Sequence, residues 1–558
     1  MKCKGLIFSL CLWISITMTG WGQNRVIDVP WYENTNTYMF DIVKIEMTKD
    51  ATIVTGQVNA SPGGWIRIAG RTIIKGDSGK EYRLLSAEGI DLNQKVFLPD
   101  PGIMTFRLYF EPLDANEKKI DYVEGNHEDD WFIQGILLEA DLEQNVNAKS
   151  CVIEGEVVGR PWSYRLVLME YDADDRIQNP NAIIPIRNGK FKYVCESNES
   201  RMYRLIFADE LAKSAYKPID FFVEPGSVEI NIRLDDSDFV SEIYGGEINQ
   251  LYQNYLKDKE DRFHFKTLYA QYDSLYRQNL YFSPQAMELH QLMSQVRDDR
   301  RKLDSLDAVY VQLKREEKAY TPQVIALNEK NKSLHRQGQK WKEDYMAQNP
   351  SLVAYFLLMD DLNMLVKYRV HGLPEEFEML SFKDLQRLEK MYYSVYKPMF
   401  PEHSYTSLIA TMLESLKKIE VGGKYIDFTA PDFGGHPVTL SEQIDGKVAL
   451  IDLWASWCGP CRRYSKSMIP VYEKYKSKGF TIVGVAREKN VHSAKNAALQ
   501  DGYPWLNLVE INDIGNIWFK YCVGGAGGGT FLVDRDGKIL AVCPTVEEVE
   551  NILEKMLD

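Results

Sequence analysis

Alternating apolar and polar positions dominate the chain from residue 25 to about residue 240. "TIVTGQVNA", "WIRIAGRTIIKG", "EYRLLSAEGI" and "MTFRLYFEPL" each place every second side chain on one face, the period of a half-buried strand. "SPGG", "GDSGK" and "PDPG" break these runs with turn residues. The pattern predicts an antiparallel β-sandwich over residues 23–145. A second β-rich unit follows over residues 146–245, from "CVIEGEVVG", "SYRLVLMEY", "NGKFKYVCE", "MYRLIFAD" and "IDFFVEPGSVEINIRL". No nucleophile, base or metal set converges in either unit, so both read as binding or spacing modules.

The period changes near residue 246. "LYQNYLKDKEDRFHFKTLYAQYDSLY" and "QAMELHQLMSQVRDDRRKLDSLDAVYVQLK" fit helices, and the region extends to residue 420. Pro284, Pro322, Pro350, Pro374 and Pro401 punctuate it, which predicts several helices rather than one coiled coil. Its aromatic residues read as packing between helices. Residues 421–558 then alternate. "VALIDLW" is an apolar strand, residues 461–478 a helix, "FTIVGVA" a second strand and residues 493–500 a helical segment. "TFLVD", "RDG" and "KILAVC" form a hairpin, and "TVEEVENILEKML" closes as an amphipathic helix. This order predicts a mixed sheet with helices on both faces. The fold class expected is therefore multidomain α+β: two sandwich-like β domains, a helical region and a C-terminal α/β domain.

Size and charge narrow the picture only a little. A chain of 558 residues exceeds what one core supports and implies roughly three to four domains. A formal charge of −14 and a pI near 5.3 argue against nucleic-acid binding, which needs a basic face. The N-terminus adds more. "MKCKG" is basic, residues 6–19 are apolar, and Gly20 and Gly22 occupy the −3 and −1 positions before Gln23. This reads as a signal peptide over residues 1–22, too short in its apolar part for the ~20 residues of a spanning helix. A buried first helix is the alternative. Leu10 before Cys11 does not suit a lipoprotein site. The mature chain is expected to be exported, into the periplasm of a Gram-negative cell, with no transmembrane span.

Of eight cysteines, Cys3 and Cys11 leave with the signal, and Cys151, Cys195, Cys458, Cys461, Cys522 and Cys543 remain. So few cysteines in so long a chain make no disulfide scaffold. The sequence leaves open whether Cys151 pairs with Cys195, or Cys522 with Cys543. The pair in "VALIDLWASWCGPCRRYSKSMIP" carries chemistry. A strand running into a helix places Cys458 at a helix N-terminus, where free N–H groups and the dipole favour a thiolate. Pro460 suits the first turn. Cys458 is then the attacking thiol and Cys461 the resolving one, a redox-active disulfide that needs no other cofactor. Asp452 lies six residues before Cys458 in an apolar strand. Burial raises the pKa of such a carboxyl, so it is suited to take the proton of Cys461; a strand-end carboxylate reaching solvent is the alternative. Zinc needs a second CxxC or a His pair, and neither is present.

Here "DLWASWCGPC" resembles the active-site segment of thioredoxins. The longer frame, "GGKYIDFTAPDFGGHPVTLSEQIDGKVALIDLWASWCGPC" with "GTFLVDRDGKIL", is similar to exported TlpA/ResA-like thiol–disulfide oxidoreductases. Residues 146–245 resemble a domain of unknown function that precedes such modules in Bacteroidetes-type proteins. The resemblance implies exchange with protein disulfides or thiols, substrate contacts at Trp457, Pro460, Gly527 and Gly528, and a membrane-bound electron donor. The Gly-Pro dipeptide implies a reductant. Two departures stand out. Lys466 replaces the helix proline usual five residues after the second cysteine, and Pro470 follows instead. The loop that normally carries a cis-proline reads "VGGAGGGTF". The competing expectation is a non-catalytic binding or assembly protein that uses the fold as a scaffold.

Three other features are set aside. "GGAGGGT" leads into a strand and lacks GK[ST], so it is no nucleotide loop. "EGNHEDDW" reads as a solvated acidic turn, and "DADD" at residues 172–175 lacks the glycine and glutamate of a calcium loop.

Overall fold

Most of the alternating strands that open the chain join one nine-stranded sheet, with Trp65–Ile66 and Val96–Phe97 pairing apart from it as a two-stranded one. The computed structural model describes residues 25–557 except 126–129, 140–143, 236–237, 297–298, 373–379 and 525–526. The predicted signal peptide lies outside the described residues, as does the middle of "EGNHEDDW". Nine strands form an antiparallel sheet from Arg25–Asp28 at one edge to Asn34–Thr35 at the other. The sheet folds over on itself, since Phe40 of Phe40–Met47 meets Tyr122 of Lys119–Val123 with ring centroids 5.0 Å apart. These two strands are not neighbours in the sheet. Sandwich-like packing therefore comes from a single curled sheet.

The second unit stacks two four-stranded sheets around Ile153, Leu166, Phe207 and Val228. Ser150–Val158 pairs in parallel with Gly226–Asp235 and antiparallel with Lys190–Glu196. In the second ladder Cys151 stands opposite Cys195, and both are free thiols. Arg165, wholly buried, donates from Nε to Asp41 at 3.0 Å and joins the two β units.

Pro284, Pro322 and Pro350 mark helix starts in the helical region, while Pro374 lies outside the described residues. Pro284 and Pro322 each sit in the first turn of a helix, behind Ser283 and Thr321, whose hydroxyls accept from Ala286 and Val324 N–H. Ser351, just after Pro350, caps Leu352–Tyr368 in the same way. That helix is apolar nearly all round, and twelve of its residues are buried, so it must be covered on every side.

The last unit explains what covers it. Strands β1 (Val448–Trp454), β2 (Phe480–Glu488), β3 (Leu506–Ile511), β4 (Gly529–Val533) and β5 (Ile539–Val542) form a sheet in the order β3-β2-β1-β4-β5. β1 is parallel to β2 and antiparallel to β4. Its helices include α1 (Gly459–Tyr475), α2 (Val491–Asp501), α3 (Ile517–Lys520) and α4 (Val546–Leu557), with a short helix Leu440–Ile444 before β1. Alternate residues of β1 face opposite layers. Val448 and Leu450 pack with Met468, Val471 and Leu553 of α1 and α4. Ala449, Ile451 and Leu453 share a core with Val353–Val366, Leu413 and Leu416 of the helical region. Each fully buried leucine or valine there contributes roughly 1.5–3 kcal/mol. The helical region thus supplies part of the second layer of this C-terminal thioredoxin-like domain.

Candidate active site

β1 is hydrogen-bonded on both edges and all seven of its residues are buried. Trp454 closes it, with its indole N–H donating to Asn507 Oδ1 at 3.1 Å. The chain then turns. Ser456 N–H donates to the carboxylate of Glu488, itself buried at the end of β2. Cys458 is the N-cap of α1: its sulfur accepts from the N–H of Cys461 at 3.3 Å, and Pro460 occupies the first turn. The helix begins at Gly459, two residues before the expected start. One first-turn N–H, that of Cys461, thus meets the Cys458 sulfur, an arrangement that stabilises a thiolate. Cys458 and Cys461 form a disulfide with Cα atoms 5.3 Å apart. Pro470 lies inside α1, and Lys466 reaches Asp501 at 3.6 Å.

Asp452 shares the α1-facing side of β1 with Leu450, because strand neighbours two apart point the same way. It is only 2% exposed. Ser465 donates to its Oδ2 at 2.7 Å, and the same hydroxyl lies 3.0 Å from the carbonyl of Cys461. Burial pushes the Asp452 carboxyl up to about 7, partly offset by the Ser465 hydrogen bond. A carboxyl that titrates near neutrality, one helical turn beneath Cys461, is suited to exchange a proton there. Ser465 was not singled out from the sequence, although it lies four residues after Cys461, on the same helix face.

The glycine loop faces the pair from the other side. Gly528 N–H donates to Cys461 Sγ at 3.1 Å. Among the described residues the one cis peptide precedes Pro101, so the Gly527–Gly528 bond is trans. A Cβ at Gly528 would lie 2.0 Å from the Leu453 carbonyl oxygen and 2.8 Å from Cys461 Sγ, whereas one at Gly527 meets open space. On this backbone path a proline at 528 would clash and remove the N–H that meets the sulfur. Gly528→Ala is therefore expected to destabilise the fold by about 1–3 kcal/mol, read as a lower midpoint of thermal unfolding.

Trp457 and Pro460 are exposed on the rim. Trp457 packs against buried Trp518 of α3 at 6.1 Å. The guanidinium of Arg176, from the second β unit, lies over the Trp457 ring at 4.4 Å. Cys458 itself is only 6% exposed. Cys151, Cys195, Cys522 and Cys543 are free thiols; burial pushes that of Cys522 up to about 12. Among the described residues no group of three or more His, Cys, Asp or Glu is placed to hold a metal ion, and no helix is long and apolar enough to cross a membrane.

The C-terminal residues are similar in sequence to known proteins. Residues 421–542 match the AhpC/TSA family. The thiol–disulfide oxidoreductase ResA of Bacillus thuringiensis subsp. konkukian is 30% identical over 143 residues, 25% of this chain and 80% of that protein. The thiol:disulfide interchange protein HelX of Rhodobacter capsulatus is 34% identical over 20% of this chain and 62% of its own. Among solved structures, the thioredoxin domain of a thiol–disulfide oxidoreductase from Bacteroides vulgatus is 29% identical, covering 25% of this chain and 99% of that one, with a TM-score of 0.24. Through its C-terminal domain the chain belongs to the ResA-type thiol–disulfide oxidoreductases.

Proposed function

We propose that the protein reduces disulfides of exported proteins by dithiol exchange at Cys458 and Cys461. The observation that carries this reading is the placement of Cys458 as the cap of α1, bridged to Cys461 above a buried carboxyl. In the reduced protein the Cys458 thiolate attacks one sulfur of a substrate disulfide, and the other leaves as a thiolate. Cys461 gives its proton to Asp452 and attacks Cys458 Sγ. The mixed disulfide breaks, the substrate departs with both sulfurs reduced, and the Cys458–Cys461 disulfide forms. Two electrons pass to the substrate, and a dithiol donor at the membrane restores the pair. Trp457, Pro460 and the Gly527–Gly528 backbone line the approach.

Export is proposed from the signal-like N-terminus, and a periplasmic setting suits a protein that meets disulfides. The scaffold reading has one observation in its favour: the helical region shares a core with the redox domain, and Cys458 is nearly buried. Single-turnover assay separates the two. The reduced protein is expected to reduce a disulfide substrate stoichiometrically; a protein whose pair is reducible but transfers nothing would be a scaffold.

A further inference from the structure

The second β unit holds two thiols that the exchange chemistry does not use. Cys151 of Ser150–Val158 stands directly opposite Cys195 of Lys190–Glu196. The ladder fixes what kind of pair they are. Ser197 N–H donates to the Lys149 carbonyl at 2.7 Å, and Val157 N–H to the Gly189 carbonyl at 2.6 Å. Both bonds lie an even number of residues from Cys151 and Cys195 along their strands. The intervening Val194 N–H turns away from the partner strand, to Gln144 Oε1 at 2.9 Å. Cys151 and Cys195 are therefore a hydrogen-bonded pair, whose Cα atoms lie ~5.5 Å apart. That falls within the roughly 4.4–6.8 Å a disulfide spans between Cα atoms.

Side chains directly opposite each other share one face of a sheet, and here it is the inner one. Cys151 is wholly buried in the core with Ile153, Phe191 and Val228, and half-buried Cys195 packs against that core. Cys195 Sγ lies 3.9 Å from the Cys151 carbonyl oxygen, and its thiol donates to the Cys151 sulfur. That contact, with a backbone hydrogen bond from Glu224, holds the Cys151 thiol below its ordinary pKa, while the Cys195 thiol is pushed up. The first proton lost therefore leaves the charge on Cys151. Lys190–Glu196 is an edge strand, and its ladder bonds run to Ser150–Val158 alone. A strand held on one side opens more readily than one held on both.

We propose that Cys151 and Cys195 form a second redox site, separate from Cys458 and Cys461. This dithiol closes into a disulfide by exchange with a low-molecular-weight disulfide, and the new bond clasps the edge strand to its neighbour. Burial sets the order of events, since Cys195 is reachable and Cys151 is not. In the singly ionised pair the proton crosses the shared contact to Cys151, and the Cys195 thiolate attacks one sulfur of the small disulfide. The other sulfur leaves as a thiolate. Cys151 gives its proton to that thiolate and attacks Cys195 Sγ. The second small thiolate departs as the Cys151–Cys195 bond forms. Two electrons have passed from the pair to the small disulfide, which ends as two thiols. A dithiol reductant reverses the sequence.

The test starts from the reduced full-length protein, equilibrated in glutathione buffers of rising disulfide content. Remaining thiols are then blocked under denaturing conditions, and peptides are mapped without reduction. A peptide joining Cys151 to Cys195, lighter by two hydrogens than the free thiols, is expected to accumulate and to vanish with dithiothreitol. In Cys151→Ser, which keeps the entry thiol and removes the resolving one, Cys195 should be held as a glutathione adduct. In Cys195→Ser, Cys151 should carry none. Amides of Lys190–Glu196 should exchange with deuterium at least about tenfold more slowly in the bridged protein, as the clasp suppresses local opening. If a serine variant folds poorly, the wild-type peptide map and amide exchange decide alone. Free thiols at both positions, in buffers that fully oxidise Cys458 and Cys461, would overturn the inference. So would a glutathione adduct at Cys151 in Cys195→Ser, or a bridge that leaves amide exchange unchanged.

Discussion

Cys458→Ser is expected to abolish disulfide exchange, with a loss of at least about a thousandfold, while Cys461→Ser arrests the protein as a covalent mixed disulfide through Cys458. The asymmetry follows from position. Cys458 caps α1 and receives a first-turn N–H, whereas Cys461 lies one turn in and is contacted by Gly528 N–H. A thiolate at a helix N-terminus has a pKa lowered from ~8.5 toward ~7 or below, and only the thiolate attacks. In the reduced protein Cys458 should therefore alkylate first. Without Cys461 nothing resolves the adduct, so peptide mapping should find substrate bound at Cys458 alone. Equal alkylation rates, or adducts at Cys522, would contradict the order; the buried thiol of Cys522 is held up at about 12 and should stay silent.

Asp452→Asn should slow release of reduced substrate by roughly 10²-fold, the lower end of what a positioned base contributes, with initial attack by Cys458 nearly unchanged. In the wild type the resolving step should accelerate as pH rises through about 7, where Asp452 ionises. In the variant that rise should move to the ~8.5 of an unassisted thiol. Stability supplies an independent readout, and its sign is fixed. The folded carboxyl holds its proton to about 7 against an ordinary 3.8, so the folded state binds the proton more tightly than the unfolded chain. Wild-type stability is undiminished below about pH 4, falls between pH 4 and 7, and remains reduced above that window. The full cost is at most about 4 kcal/mol. Asparagine carries no such cost, so the variant should gain on the wild type as pH rises from 4 to 8 in denaturant titrations. A pH-independent difference would mean that Asp452 is not buried as a titrating acid.

The placement of Cys458, Cys461 and Asp452 could be read from sequence because it is local. A strand, a short turn and a helix N-terminus fix the three within ten residues, and strand alternation places Asp452 toward α1. Proline punctuation in the helical region was legible for the same reason, since capping is decided by neighbours a few residues apart. What lies across the fold was not. Asp174 of "DADDR" accepts from Arg487 at 2.7 Å, a contact with no sequence signal, because it depends on how the second β unit docks. The apolar helix Leu352–Tyr368 announces that it is buried but not that it completes a layer of the redox domain. The glycine loop was legible as a departure. Its consequence, an N–H pointing at Cys461 where proline has none, required the backbone path. The curled nine-stranded sheet likewise depends on pairings between distant strands, which alternation alone does not specify.

The most direct measurement is the reduction potential of the Cys458–Cys461 pair in the full-length protein, read by alkylating thiols at defined thiol–disulfide buffer ratios. A reductant of exported disulfides predicts a value near roughly −270 mV, with Cys458 and Cys461 titrating together as one two-electron couple. A value near roughly −120 mV would identify an oxidant and contradict the proposed direction of electron flow.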